Sequence, residues 1–251
     1  MKKRLFITLL MSTLAATASH ADVLSVDNVT SDFRLFITVW EGEIDLKPAS
    51  DDKVRVDVEC EQGNDAAREV NEQGLRVISS DQSLPELRKS DDKVTFKAAE
   101  QAGVCQIEVT APQSVRTQLR INDKGKITVS NWRARVTTWS AGGDVTLLDH
   151  QAPFSVTAMS GDANIEYRGA TLEADSAATA ANGVVKLSLA GEPPMTLRTQ
   201  ARWGEVATDL DAEFKREQID NASWSVATLA GGGPIVTLRN LNSDIVITRG
   251  D

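Results

Sequence analysis

The residues able to do chemistry are few. Apart from His20 in the leader, His150 is the only histidine. That leaves no imidazole pair for a zinc site and no relay partner for a serine or cysteine nucleophile, so His150 reads as a solvated turn residue. Asp144 and Asp162 follow glycines at matching positions and could stack their carboxylates. A hard cation needs more oxygens than that, and turn formation explains both. Asp209-x-Asp211-x-Glu213 either aligns three carboxylates on one strand face or forms a solvated loop. No metal and no cofactor is therefore expected. Tyr167-Arg168 offers a base beside a neutralising cation, as a polysaccharide lyase would require, and the 36 acidic residues supply carboxylate pairs for glycoside hydrolysis by number alone. Gly231-Gly232-Gly233-Pro234 lacks the Lys-Ser/Thr of a phosphate loop and reads as a turn.

Aromatic residues make up 5% of the chain, so the placement of its five tryptophans is informative. Trp40, Trp132, Trp139, Trp203 and Trp224 stand beside turns, and Trp132-Arg133-Ala134-Arg135 sets an indole next to two cations. Trp132, Arg133, Arg135 and Trp139 form the candidate ligand face, suited to sugar rings or an anionic glycan. For the rings themselves the preferred reading is that they stack between layers of the fold and plug it.

The elements that must position these residues follow from the chain's compartment and periodicity. Lys2, Lys3 and Arg4 precede an apolar stretch from Leu5 to Leu14, and Ser19-His20-Ala21 offers a small-x-small cleavage site before Asp22. Residues 1–21 read as a signal peptide, and residues 22–251 as the mature, periplasmic or secreted protein. No later stretch approaches the ~20 apolar residues that span a bilayer. Cleavage removes three cations and no acid, which moves the formal charge from -9 to -12. Such a balance disfavours nucleic acid and anionic membranes as partners.

An oxidising compartment makes Cys60 and Cys105 disulfide candidates. In Val54-Arg55-Val56-Asp57-Val58-Glu59-Cys60 and Cys105-Gln106-Ile107-Glu108-Val109, alternation puts each cysteine on the apolar face of a strand. A bridge between neighbouring strands would be worth about 3 to 4 kcal/mol in the chain-entropy model.

From residue 125 onward, glycine-led turns open short alternating strands at Gly125, Gly143, Gly161, Gly183, Gly204 and Gly233, with spacings of 18, 18, 22, 21 and 29 residues. Second strands lie between them, at Arg135 to Thr138, Phe154 to Ala158, Thr171 to Ala174, Met195 to Arg198 and Trp224 to Thr228. This predicts an all-β, single-domain β-solenoid with two short strands per 18–22-residue coil. Asp209 to Asn221 reads as an inserted loop or short helix. The N-terminal part is less regular. Ser50-Asp51-Asp52-Lys53-Val54 recurs as Ser90-Asp91-Asp92-Lys93-Val94, residues 65–73 suit a short helix, and Ser79 to Lys93 reads as a polar loop. Ile245-Val246-Ile247 lies close to the C-terminus and is expected to be an uncapped edge, open to self-association or a partner.

The Gly-Asp strand units, with Ser160-Gly161-Asp162 and the closing Asn242-Ser243-Asp244-Ile245-Val246-Ile247 behind a leader, resemble the bacterial "putative adhesin" β-solenoid domains of cell-envelope proteins. The resemblance spans roughly residues 40–251 and departs from the common pattern at Gly183-Val184 and Gly233-Pro234. It implies a β-solenoid and an interaction role in the envelope, with no catalytic residue to carry over. The resulting expectation is a non-catalytic, adhesin-like binding module for an envelope protein or glycan. The alternative is a carbohydrate-active enzyme, a polysaccharide lyase or glycoside hydrolase, on the same scaffold.

Overall fold

The computed structural model describes residues 22–61 and 85–250. The expected signal peptide and the helix at residues 65–73 lie outside the described residues. The fold is all-β: β1 Asp22–Val26, β2 Arg34–Val39, β3 Glu41–Pro48, β4 Val54–Cys60, β5 Glu86–Ser90, β6 Lys93–Ala98, β7 Val104–Ala111, β8 Arg116–Ser130, β9 Val136–Gly142 and β10 Val145–His150. There follow β11 Phe154–Ala158, β12 Ala163–Tyr167, β13 Ser176–Ala180, β14 Val185–Ala190, β15 Met195–Ala201, β16 Val206–Thr208, β17 Lys215–Ile219, β18 Ala222–Leu229, β19 Ile235–Asn240 and β20 Ile245–Gly250. Among the described residues no helix is long and apolar enough to cross a membrane.

The strands form two ladders. The first runs β1-β4-β7-β3-β8-β10-β12-β14-β20-β16, parallel from β7 onward. The second runs β5-β6-β2-β8-β9-β11-β13-β19-β15-β18-β17, parallel from β6 to β15. β8 is long enough to serve both and joins them into one 20-stranded sheet. Alternation explains why each strand forms. In β2, Leu35, Ile37 and Val39 are buried while Arg34, Phe36 and Thr38 face outward, and the inward residues of both ladders make one apolar cluster.

A strand of the second ladder passes through a tight corner into a strand of the first, and glycine governs that corner. A Cβ on Gly125 would stand 1.8 Å from the Gly42 carbonyl oxygen, on Gly143 1.5 Å from that of Gly125, and on Gly183 2.2 Å from that of Gly161. Gly161 meets the Gly143 carbonyl carbon at 2.2 Å in the same way. The backbones therefore stack at distances that exclude any side chain. Gly42 also has a φ of 133°, which L-residues rarely adopt.

The core widens away from this corner. Ser140, Ala158 and Ala180 stack in register beside it, while Trp132, His150, Phe154 and Tyr167 fill the opposite end. Small residues are needed where the two ladders meet and large ones where they diverge.

Strand order departs from chain order at both ends. β2 and β3 sit between the β6/β7 pair and β8, and β19 and β20 insert between the β13/β14 pair and the β15/β16 pair. Two expectations are corrected by this. Ile245 to Ile247 is not an edge, because β20 is paired on both sides; the outer strand is the three-residue β16. Gly233 opens a strand of the second ladder, and Ser243 takes the corner position instead: a Cβ on Gly204 would meet the Ser243 carbonyl oxygen at 2.1 Å. Asn240 fixes the inserted turn, donating to the carbonyls of Gly183 (2.7 Å) and Asp244 (3.0 Å) and accepting from the Ser243 amide (3.0 Å).

Other local expectations also shift. Residues 171–174 are not a strand, which begins at Ser176. The Asp209 to Asn221 insert contributes β17, half of an antiparallel hairpin with β18. The described part of the Ser79 to Lys93 loop contains β5. Cys60 and Cys105 oppose each other on β4 and β7 and form a disulfide. The outermost strands β5 and β17 are rich in exposed charge, which discourages further strand addition.

Gly143→Ala should lower stability by about 3 kcal/mol or more, or prevent folding, because only backbone lies in the way. Gly191→Asn, at a φ of 77° with nothing within 4 Å, should change it by less than about 1 kcal/mol. Urea denaturation of the two variants checks the contrast.

Candidate functional site

At the glycine corner, the aspartates work between neighbouring strands. The Asp144 carboxylate accepts the Asp162 amide (2.9 Å), Asp162 accepts the Val184 amide (2.8 Å) and Asp244 accepts the Glu205 amide (2.9 Å). Each carboxylate satisfies a backbone donor that the bend leaves out of the ladder. Asp209 does the same for the Arg249 amide at 2.8 Å, while Asp211 and Glu213 point into solvent. Among the described residues, no group of three or more His, Cys, Asp or Glu is disposed to hold a metal ion.

The opposite end of the core takes up one residue of the candidate ligand face and one expected in a solvated turn. Trp132 is fully buried and donates from Nε1 to the Val115 carbonyl (3.2 Å), so its indole offers no face to a ligand. His150, expected in a solvated turn, is fully buried instead, edge-on to Phe154 with ring centroids 6.1 Å apart. A left-handed Asp149 (φ 51°) and a register shift after Leu147 turn the imidazole inward. Burial lowers its pKa from 6.5 to about 4, against a smaller opposing effect of the Pro153 and Ala152 backbone. Tyr167 and Arg168 face opposite sides of their segment. The phenol is buried, donates to the Thr171 carbonyl (2.9 Å) and has its pKa pushed up to about 12 by burial and, secondarily, by Glu173. Arg168 is exposed and pairs with Asp149. The two do not converge on a substrate position.

Of the remaining candidates, Trp139 lies on the outward face of the second ladder, Arg135 directly precedes β9 and Arg133 lies in the turn before it. Arg133 and Arg135 are exposed, and Trp139 is half-buried beneath Arg120, whose guanidinium sits 4.2 Å from the ring centroid. Trp203 is 74% exposed beside Arg202, Trp224 packs under Arg239, and Trp40 lies at the corner leading into β3. Register brings residues far apart in the chain to the same face: Lys93, Arg34 and Arg116 occupy equivalent positions on β6, β2 and β8. Sequence reading missed this assembly because no local cluster announces it. The available signal was a cation at the first position of β2, β6 and β8.

No known protein-family profile matches the chain, and no curated protein matches it. Among solved structures it is similar to a "putative cell adhesion protein" of Clostridium sporogenes, with a TM-score of 0.42 and 9% identity over 92% of this chain and 99% of that one. It is also similar to a "putative adhesin" of Bacteroides fragilis, with a TM-score of 0.37 and 11% identity over 92% of this chain and 99% of that one.

The buried histidine makes stability depend on pH. The native ring stays neutral down to about pH 4, whereas the unfolded chain binds a proton near 6.5. Between those values the unfolded state holds more protons, so the contribution is fully present above about pH 7 and falls away toward pH 4, by about 3 kcal/mol. In urea titrations at pH 7, 5.5 and 4.5, His150→Leu should lose less stability on acidification than the wild type, by about 2 kcal/mol at the lowest pH.

Proposed function

We propose that this chain is a β-solenoid of an exported envelope protein and acts as a non-catalytic, adhesin-like binding module for an envelope partner. Each coil would consist of one strand from each ladder joined at the glycine corner. The observation that carries this reading is the disposition of side chains. Outward residues stand in register across successive parallel strands, as in the row Thr38, Arg120, Trp139, Thr157, Thr179 and Arg239. Among the described residues, the two groups with strongly displaced pKa values, His150 and Tyr167, are sealed in the core. A surface of this kind suits recognition by many modest contacts, whereas catalysis needs perturbed groups that reach a substrate. The Cys60–Cys105 disulfide fits an oxidising compartment.

Co-sedimentation of the mature protein with outer-membrane vesicles, peptidoglycan sacculi and total envelope fractions tests the proposal. Saturable binding to at least one fraction, with that fraction chemically unchanged, is the expected result. Release of soluble sugar fragments would instead assign an enzyme, and absence of binding to every fraction would overturn the reading.

A further inference from the structure

The outward faces of the two ladders differ in charge around β8: acids outnumber cations on the first, where Lys47, Arg55 and Lys126 also stand, and cations prevail on the second. On the first ladder, Glu43, Asp45, Asp57, Glu59 and Glu108 face outward, with Asp45 and Glu108 sharing Lys47 at 2.9 and 3.3 Å. The outward face of the second ladder is cationic over β6, β2, β8 and the start of β9. Lys93, Arg34, Arg116 and Arg135 follow one another on adjacent strands, the last placed by the 3.0 Å bond from the Thr117 amide to the Arg135 carbonyl. At ~4.8 Å per strand, this row is ~14 Å long. Lys97 and Arg120 lie in a parallel row four residues further along the same strands. The nearby carboxylates are already engaged: Asp92 by Arg34 at 2.7 Å and Glu86 by Arg88. Lys93, Lys97, Arg116 and Arg135 are exposed and have no ion-pair partner among the described residues. Between the arginines lies a depression of about 140 Å3, floored by Phe36, Gln118 and Thr137.

We infer that this face binds a linear, carboxylate-bearing polysaccharide running across the strands, an assignment that rests on the binding-module reading and names its ligand class. Guanidinium groups pair with carboxylates in bidentate fashion, and a row repeating at the strand spacing matches a polymer with regularly spaced charge. Beyond the cations the same face continues as hydroxyls, Ser155, Thr157, Thr179 and Thr237, which can donate to and accept from sugar hydroxyls. Nucleic acid fits less well. Trp139 is covered by Arg120 and Phe36 is half-buried, so the face has no open aromatic platform for bases.

The test is fluorescence anisotropy with labelled polygalacturonate oligomers, neutral dextran and duplex DNA, on wild type and on the double variant Arg116→Glu/Arg135→Glu. Circular dichroism and a thermal melt establish that the variant is folded, and Lys97→Gln/Arg120→Gln provides a milder second probe. The expected result is saturable polygalacturonate binding that weakens with salt, falls at least about tenfold in the charge-reversal variant and less in the milder one, with no dextran binding and weaker DNA binding. No polygalacturonate binding, binding indifferent to both variants, or tighter binding of DNA would overturn the inference. If the double variant still co-sediments with envelope fractions as the wild type does, the ligand face is wrong while the binding-module reading stands. If the wild type sediments with none, both fall.

Discussion

The structure depends on how closely two backbones can approach at the corner between the ladders. Where Gly42, Gly125, Gly143, Gly161 and Gly183 stack, a single added carbon would overlap a carbonyl of the neighbouring turn. That contact fixes the axial register of every strand that leaves the corner, because the residues on either side are tied to it by consecutive peptide bonds. The aspartates that follow Gly143 and Gly161 reinforce the same alignment by accepting an amide from the next turn. With register fixed there, alternation dictates which side chains enter the core and which form rows outside.

The corner also shapes the core. Serine and alanine beside the glycines and tryptophan, histidine, phenylalanine and tyrosine at the far end are two consequences of one wedge-shaped section. His150 is best understood in this light: it fills volume, and its depressed pKa is a by-product of that packing. The binding surface proposed for the second ladder is another consequence of register, because Lys93, Arg34, Arg116 and Arg135 come from four separate strands.

Much of this was legible in the sequence. Alternation in Val54 to Cys60 and in Cys105 to Val109 located two strands and the pairing of their cysteines, and the glycine spacing located the corner from Gly125 to Gly204. What escaped was non-local. Gly233 has the right local pattern for a corner, yet Ser243-Asp244 occupies it, because β19 and β20 insert between β13/β14 and β15/β16 while the β17/β18 hairpin pairs on the far side of β15. His150 differs from expectation for a related reason: a turn looks solvated in sequence, and only the neighbouring turns reveal that it is covered, whereas the burial of Trp132 agrees with rings stacking inside the fold. The cationic row had no local signature, and net charge concealed it by averaging two opposed faces.

The central claim is that corner stacking, and not chain order, sets the sequence of strands, so that β20 lies between β14 and β16. Cysteine cross-linking tests it directly. Lys186 and Val246 are opposite each other on adjacent parallel strands, whereas Lys186 and Ala207 are two strands, ~10 Å, apart. The account predicts that Lys186→Cys/Val246→Cys forms an intramolecular disulfide on mild oxidation and that Lys186→Cys/Ala207→Cys does not, since Cα atoms beyond ~7 Å cannot be bridged without backbone movement. The reverse pattern would contradict it.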